Sequence, residues 1–416
     1  MPRRLASGSD VFNFDVAAPT VRSYAPGDTI IGNLVRRTSI NTHSATVSLT
    51  FEGRSKVKIV RKNNQSTRRY RDDWKILKVK EFIIYEGPLH LPEGSEETLT
   101  WPIALKIPLE PMQSCSAGYD MKGSYFPKDM SHPLHHTLPG SFNRTDISVL
   151  GGTESTDFVE YFLTAYLRYE NEGRQKVHEA LHPITIRHSV IKDNRFGAPH
   201  MLMSPQSMVS SQRLLPGMEK ADLSLRQHTQ KLFRSSKVPQ LFYKLLFTAP
   251  ASIQLGNPTP LPLQLEIVPD QKKTSDSIKD MVQNFQIQEL RAHLICATTD
   301  RSTDTFLGNV ESNYYTEKIH LNLQQVLIQL ETPPVITTGT ESGSIHLGNM
   351  LQLTLDSRGL RSGTRLPGPS YGLLVPDLTT HNIRHTHYID WKIILNIAGE
   401  TETHRFQHSV QIIAPA

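Results

Sequence analysis

The chain has very little cysteine: two residues, Cys115 and Cys296, among 416. Two thiols cannot build the disulfide framework on which small secreted all-β proteins rely. Long apolar runs are missing as well. No window approaches the ~20 consecutive apolar residues that a membrane-spanning helix needs. The opening Met1-Pro2-Arg3-Arg4-Leu5 has a basic start with no apolar stretch behind it, so no secretory leader is expected. The expected compartment is aqueous and intracellular, that is, cytoplasmic. Short catalytic signatures are also absent: no Gly-x-Gly-x-x-Gly after a strand, no phosphate-loop Gly-Lys-Ser, no Gly-x-Ser-x-Gly and no His-Glu-x-x-His. These absences favour a non-enzymatic binding protein, and no cofactor is expected.

What the chain does have is period-two alternation, in short runs punctuated by Pro and Gly. Thr46–Phe51 places Val47, Leu49 and Phe51 on one face and Thr46, Ser48 and Thr50 on the other. Leu99, Trp101, Ile103, Leu105 and Ile107 alternate over nine residues, with Pro102 restricting that strand to an edge or a bulge. Phe158–Tyr169 and Val177–Arg187 form a hairpin around Glu170-Asn171-Glu172-Gly173. Later, Leu261 to Ile267, Ile319 to Leu323, Leu351 to Leu355 and Ile389 to Ile397 repeat the pattern. Alternation of this kind makes strands with one buried face, and the length suits two domains of roughly 180 residues. The fold class is therefore all-β, with two β-sandwich domains. A polar tail (1–10) precedes the first sandwich (11–193), and a polar linker (194–237) leads to the second (238–416). Residues 108–157 are poor in alternation and are expected to be an irregular excursion. In the linker, Met218, Ala221, Leu225, His228 and Leu232 have helical spacing among basic residues, giving either a basic amphipathic helix or a solvated linker.

Lys and Arg exceed Asp and Glu by 45 to 40, a modest surplus for this length. Its placement is more informative. Arg54-Ser55-Lys56-Val57-Lys58-Ile59-Val60-Arg61-Lys62 continues through Arg68-Arg69-Tyr70-Arg71. Alternation puts Lys56 and Lys58 on the solvent face of one strand, and Arg61, Lys62, Arg68 and Arg69 around a hairpin loop. Such a ridge suits anionic lipid headgroups or a phosphorylated tail, because guanidinium forks accept phosphate bidentately. The plainer alternative is an exposed face partly neutralised by Asp72 and Asp73. Nucleic acid is not expected, since no aromatic residues for base stacking are interleaved there. His132, His135 and His136 could hold zinc with Cys115, or could line a polar surface loop; His381, His385 and His387 lead into a strand.

The opening Val11–Val16 followed by Tyr24-Ala25-Pro26-Gly27-Asp28-Thr29-Ile30-Ile31-Gly32 resembles the start of the arrestin-like N-terminal domain. Val47-Ser48-Leu49-Thr50-Phe51-Glu52-Gly53 is similar to the next strand of that domain, and Phe158-Val159-Glu160-Tyr161-Phe162-Leu163-Thr164-Ala165 to a late one. Asn382–Tyr388 and the strand after it resemble the end of the arrestin C-terminal domain. The family most resembled is the α-arrestins, or arrestin-related trafficking adaptors, of fungal type. The resemblance implies two immunoglobulin-like sandwiches. It also implies a cytosolic adaptor, peripherally associated with plasma membrane or endosomes, that recognises the cytosolic tails of membrane transporters or receptors. Such adaptors recruit a HECT-type ubiquitin ligase through its WW domains and promote ubiquitin-dependent endocytosis and sorting. The WW ligand Pro-Pro-x-Tyr is not present. Gly368-Pro369-Ser370-Tyr371 lacks only the first Pro, so Pro369, Ser370 and Tyr371 are a degenerate WW ligand or a surface turn. The rival expectations are an endosomal coat subunit similar to the arrestin-fold component of retromer, and a His-dependent metalloenzyme.

Overall fold

The computed structural model describes residues 6–8, 11–16, 23–62, 66–112, 123–148, 152–188, 197–219, 221, 238–303, 310–339, 343–363 and 374–415. The chain is all-β, with several sheets and only short helical turns among the described residues. It divides into two compact units. The first is Met1–Ser189 with Thr298–Tyr315 and Leu378–His385; the second is Val190–Ala297, Thr316–Asp377 and Thr386–Ala416. Two short segments from the later half of the sequence therefore belong to the first unit.

The first unit contains β1 (Phe12–Val16), β2 (Thr29–Arg36), β3 (Ile40–Lys62), β4 (Thr67–Lys78), β5 (Phe82–Leu91), β6 (Leu99–Lys106), β7 (Phe142–Ser148), β8 (Thr153–Asn171) and β9 (Arg174–Ile184). Strands β1, β2 and β6 form one sheet, entered through the Pro26-Gly27 turn, where Gly27 adopts φ 91°. Pro102 faces Asn33 on β6, the edge strand, where a missing N–H breaks no ladder. The six-stranded sheet is built on the long neighbours β3 and β8. Strands β5 and β4 pair in succession with β3, and β7 and β9 with β8. The β8–β9 hairpin closes on Glu172-Gly173, both at positive φ, the two-residue turn whose twist matches that of its strands.

Over the middle of β3 and β8 burial does not alternate. Phe158 to Ala165 are buried on both faces, and Ser48 and Thr50, expected to face solvent, are buried too. The Ser48 hydroxyl donates to Glu81 Oε1 at 2.5 Å and that of Thr50 to the Val79 carbonyl at 3.0 Å. Gly53 lies at an irregularity in the β3–β4 register, where an added Cβ would come within 2.5 Å of the Tyr161 ring. The expected excursion over 108–157 is shorter than its composition suggests, since β7 and the start of β8 lie within it.

The second unit carries β10 (His200–Met203), β11 (Ser207–Ser210), β12 (Gln240–Ala249), β13 (Ser252–Gln254), β14 (Gln264–Pro269), β15 (Asn284–Thr303), β16 (Val310–His320), β17 (Val335–Thr337), β18 (Ser344–His346), β19 (Leu353–Asp356) and β20 (Gly359–Ser362). The chain ends with β21 (Leu378–Thr379), β22 (Ile383–Ile397) and β23 (Glu400–Ile413). The far ends of β15 and β16, all of β21 and the start of β22 are counted in the first unit. One sheet runs β10-β12-β14-β18, with β11 also on β12; another runs β13-β23-β22-β15-β16. Their buried faces supply one apolar core that includes Tyr243, Phe247, Phe285, Leu294, Trp391, Ile393 and Phe406. Cys296 belongs to it, and burial pushes its thiol up to about 12. Leu323 leaves the alternation of Ile319 and Leu321, because Asn322 at φ 51° turns the chain into a short helix, Leu323–Ile328.

The expected linker needs correction. Within 194–237, β10 and β11 pair antiparallel with β12, so this stretch supplies strands to the second unit. Each pairs over only four residues, too short for alternation to announce it. Leu225, His228 and Leu232 of the proposed amphipathic helix lie outside the described residues. No helix among the described residues is long and apolar enough to cross a membrane.

Candidate functional site: a cationic hairpin end and a buried acid–arginine cluster

The basic run of β3 and β4 divides into buried and exposed parts. Arg54 and Lys56 are buried, which corrects the expectation that Lys56 faces solvent. A buried cation is tolerated only when paired. Arg54 Nε donates to Glu160 Oε1 at 2.7 Å and Nη1 to Asp73 Oδ2 at 3.1 Å, while Lys56 Nζ meets the same Asp73 oxygen at 3.1 Å. The guanidinium also sits over the rings of Phe158 and Phe162.

Towards the hairpin end the balance reverses. Lys58 is half-buried and directly opposite Arg71; Arg61 is directly opposite Arg68. Like charges facing each other across a ladder destabilise it. Arg61 is relieved by an ion pair with Glu311, and Lys62 approaches Glu154 at 3.9 Å. Arg68, Arg69 and Arg71 are exposed, with no ion pair among the described residues. On this strand Asp73 is occupied by Arg54 and Lys56. Of the six ridge residues, Lys58 is half-buried and Arg68 and Arg69 are exposed, as is Arg71; Lys56 is buried and paired, and Arg61 and Lys62 have acidic neighbours.

Sequence reasoning missed a second cluster on the same sheet. Arg144 (β7), Ser155 and Asp157 (β8), Asp300 (β15) and Tyr315 (β16) converge inside the first unit. The Ser155 hydroxyl lies 3.0 Å from Asp157 Oδ1 and 2.8 Å from Asp300 Oδ2. One hydroxyl hydrogen cannot serve two carboxylates, so the geometry calls for a proton on the acid pair. Burial, and then the proximity of Asp300, push the Asp157 carboxyl well above the usual carboxylate range; burial likewise raises Asp300. Arg144 stacks on the Tyr315 ring at 4.0 Å from its centroid and reaches Asp157 at 3.5 Å and Asp146 at 3.6 Å. Its three nitrogens find no hydrogen-bond acceptor in good geometry. The cluster fastens residues 298–315 to the sheet through a charge balance that an added proton or anion would shift. Residues 378–385 are held similarly: Ser55 Oγ lies 2.9 Å from Thr380 Oγ1 and donates to Asn382 Oδ1 at 2.6 Å. The available signal was Asp157 itself, an acid at the inward parity of Val159, Tyr161 and Leu163.

The histidines are placed for other work. His132 Nδ1 accepts from the Leu134 N–H, His135 Nε2 lies 2.8 Å from the Pro127 carbonyl, and His136 lies 3.4 Å from Glu110. Among the later three, His381 stacks on Trp74, His385 Nδ1 lies 2.8 Å from Thr298 Oγ1, and His387 Nδ1 lies 2.6 Å from Asp377 Oδ1. Among the described residues, no three His, Cys, Asp or Glu side chains are placed to hold a metal ion. Cys115 and the segment Pro369, Ser370, Tyr371 lie outside the described residues. Compared with protein-family models and with curated proteins, the chain matches none.

Proposed function

We propose that this chain is a non-enzymatic recognition scaffold of the arrestin type, built of two immunoglobulin-like sandwiches. It takes up acidic or phosphorylated cytosolic tails of membrane transporters or receptors. The observation that carries the reading is the like-charge pairing of Lys58 with Arg71 and of Arg61 with Arg68, which leaves Arg68, Arg69 and Arg71 exposed at one hairpin end. A fold that tolerates this repulsion gains stability when an anion arrives. Guanidinium groups suit carboxylate and phosphate, because their donors form a rigid fork. The same hairpin end leans on anionic headgroups of the plasma membrane or endosome. In this reading, ligase recruitment through a WW domain delivers the bound transporter to ubiquitin-dependent endocytosis, with Pro369-Ser370-Tyr371 as the degenerate ligand.

The test is charge reversal restricted to exposed positions: Arg68→Glu, Arg69→Glu and Arg71→Glu together. Lys56 is left out because its reversal would disrupt the buried ion pairs and confuse unfolding with lost binding. Sedimentation with phosphatidylserine vesicles, and retention on immobilised acidic tail peptides, should each fall at least tenfold while the circular dichroism spectrum is unchanged. Undiminished binding in both assays would refute the role of this surface.

A further inference from the structure

We propose that a cleft beside β15, inside the second unit, holds an extended, uncharged, aliphatic segment of a partner protein. The inference goes beyond the cationic hairpin end and shares no residue with it. Strand β15 buries Phe285 and Ile287 at its start, then Leu290, Ala292 and Leu294. Its inward residues therefore shift from odd to even positions between Ile287 and Leu290, the mark of a bulge. Before the shift, β17 pairs with residues 284–286, and the Pro334 carbonyl accepts from the Ile287 N–H at 2.9 Å. After it, the Leu321 N–H donates to the Ala292 carbonyl at 3.0 Å, just beyond the end of β16. Between these points the flank is served by a side chain. Gln324, in the short helix Leu323–Ile328, accepts from the Leu290 N–H through Oε1 at 2.9 Å. Its Nε2 donates to the Gln288 carbonyl at 3.3 Å. A side-chain amide carries the donor and acceptor of a peptide group, so it stands in for the missing strand.

The substitution leaves a cleft of about 390 Å³, within the size range of pockets that hold ligands. Leu327, Ile328, Leu330 and Pro333 line one side, and residues 286–288 with Gln324 the other. Ile328 is 71% exposed, more than any other large apolar side chain among the described residues. Among the same residues, the side-chain amides of Gln286 and Gln288 have no hydrogen-bond partner. No charged side chain among the described residues lines the cleft, and the neighbouring Glu289 is already held by Arg291 and Lys392. A charged occupant would lose its water and gain no counter-ion. A purely apolar occupant would strip water from the two amides and give nothing back. A helix is also a poor fit, since its main-chain groups are spent on one another. An extended chain meets every demand. Its aliphatic side chains lie against Ile328, Leu330 and Pro333, while its main-chain N–H and C=O groups meet the amides of Gln286 and Gln288.

The probe is a displayed library of random peptides, panned in parallel on the full wild-type chain and on Ile328→Glu. The exposed position of Ile328 lets the variant fold, which circular dichroism checks. One set of peptides should be enriched on the wild-type chain alone, rich in Val, Ile, Leu and Thr and poor in charged residues. The leading peptide of that set is then synthesised and assayed by fluorescence polarisation. Gln286→Glu with Gln288→Glu should weaken it about tenfold or more, because carboxylates cannot donate and bring charge into the cleft. Arg68→Glu, Arg69→Glu and Arg71→Glu together should leave it bound, which separates this cleft from the cationic surface. Identical peptide sets on the two chains overturn the proposal, as does a wild-type set made of charged peptides. Unchanged affinity in the double Gln variant also overturns it. So does a wild-type chain that sediments as a dimer and an Ile328→Glu chain that sediments as a monomer, because the occupant is then a second copy.

Discussion

Lowering the pH from 7 to 5 should destabilise the second unit through His404 and His408, whose two contributions come to about 4 kcal/mol before Glu402, raised by burial, offsets part of them. Both lie on β23 with side chains turned into the core, at 4% and 6% exposure. The Tyr243 hydroxyl is 3.2 Å from His404 Nε2, and the Trp391 indole N–H donates to His408 Nδ1 at 3.3 Å. Burial lowers each imidazole to about 4, against an unfolded value near 6.5. The folded value is the lower one, so between these limits the unfolded chain binds more protons. The stabilisation is complete above about pH 6.5 and is lost as pH falls toward 4. At pH 5 each histidine costs about 2 kcal/mol, which matters against the roughly 5–15 kcal/mol that holds a domain together.

The first unit behaves differently. His188 is also lowered to about 4 by burial, but Asp157 and Asp300 are raised and so contribute stability that is present at low pH and lost as pH rises. The two contributions oppose each other. Urea denaturation followed by Trp391 fluorescence at pH 7 and pH 5 reads the second unit. Its midpoint should drop sharply, and His404→Gln with His408→Gln should flatten the dependence. An unchanged midpoint in the wild-type chain would show that neither imidazole is held neutral by the core.

Removing Glu160 should cost the first unit about 3–5 kcal/mol, the range for breaking one partner out of a buried ion pair. The carboxylate is 5% exposed, accepts a hydrogen bond from Arg54 Nε at 2.7 Å and lies 2.5 Å from Nη2 as an ion pair. Among the described residues, Glu160→Ala would leave Arg54 with the half-exposed Asp73, which Lys56 shares. Glu160→Gln keeps the volume and one acceptor and should fall between. Replacing Arg54 by Met together with Glu160 by Leu should cost less than Glu160→Ala alone, because no buried charge is stranded. Denaturant unfolding followed by Trp74 and Trp101 fluorescence separates these variants. A loss below about 1 kcal/mol for Glu160→Ala would mean that water reaches Arg54.

Strands were legible wherever one face is buried and the other wet, as in β6 and β22, because alternation records that asymmetry residue by residue. Pro102 correctly signalled an edge, and Glu172-Gly173 a tight turn. The pattern misleads on β3, where a strand bordered by neighbours and covered on both faces buries Ser48, Thr50, Arg54 and Lys56 alike. A polar residue in an alternating run is read as exposed unless its partners are known, and those partners, Glu160, Asp73 and Glu81, are far off in sequence. For the same reason the joining of Asp157 to Asp300 leaves no local trace. The assignment of residues 298–315 and 378–385 to the first unit is likewise a property of tertiary contacts. The exposed part of the cationic run was readable, since hairpin ends lie at the surface whatever covers the sheet.

The decisive measurement is the salt dependence of acidic-peptide binding to the wild-type chain and to the chain with Arg68, Arg69 and Arg71 changed to Glu. Contacts made by exposed guanidinium groups are screened within about 10 Å at 0.1 M salt. Wild-type affinity should therefore fall steeply between low and physiological salt, and the variant should bind weakly with a flat salt profile. A wild-type affinity indifferent to salt, or a variant that retains it, would contradict recognition by this hairpin end.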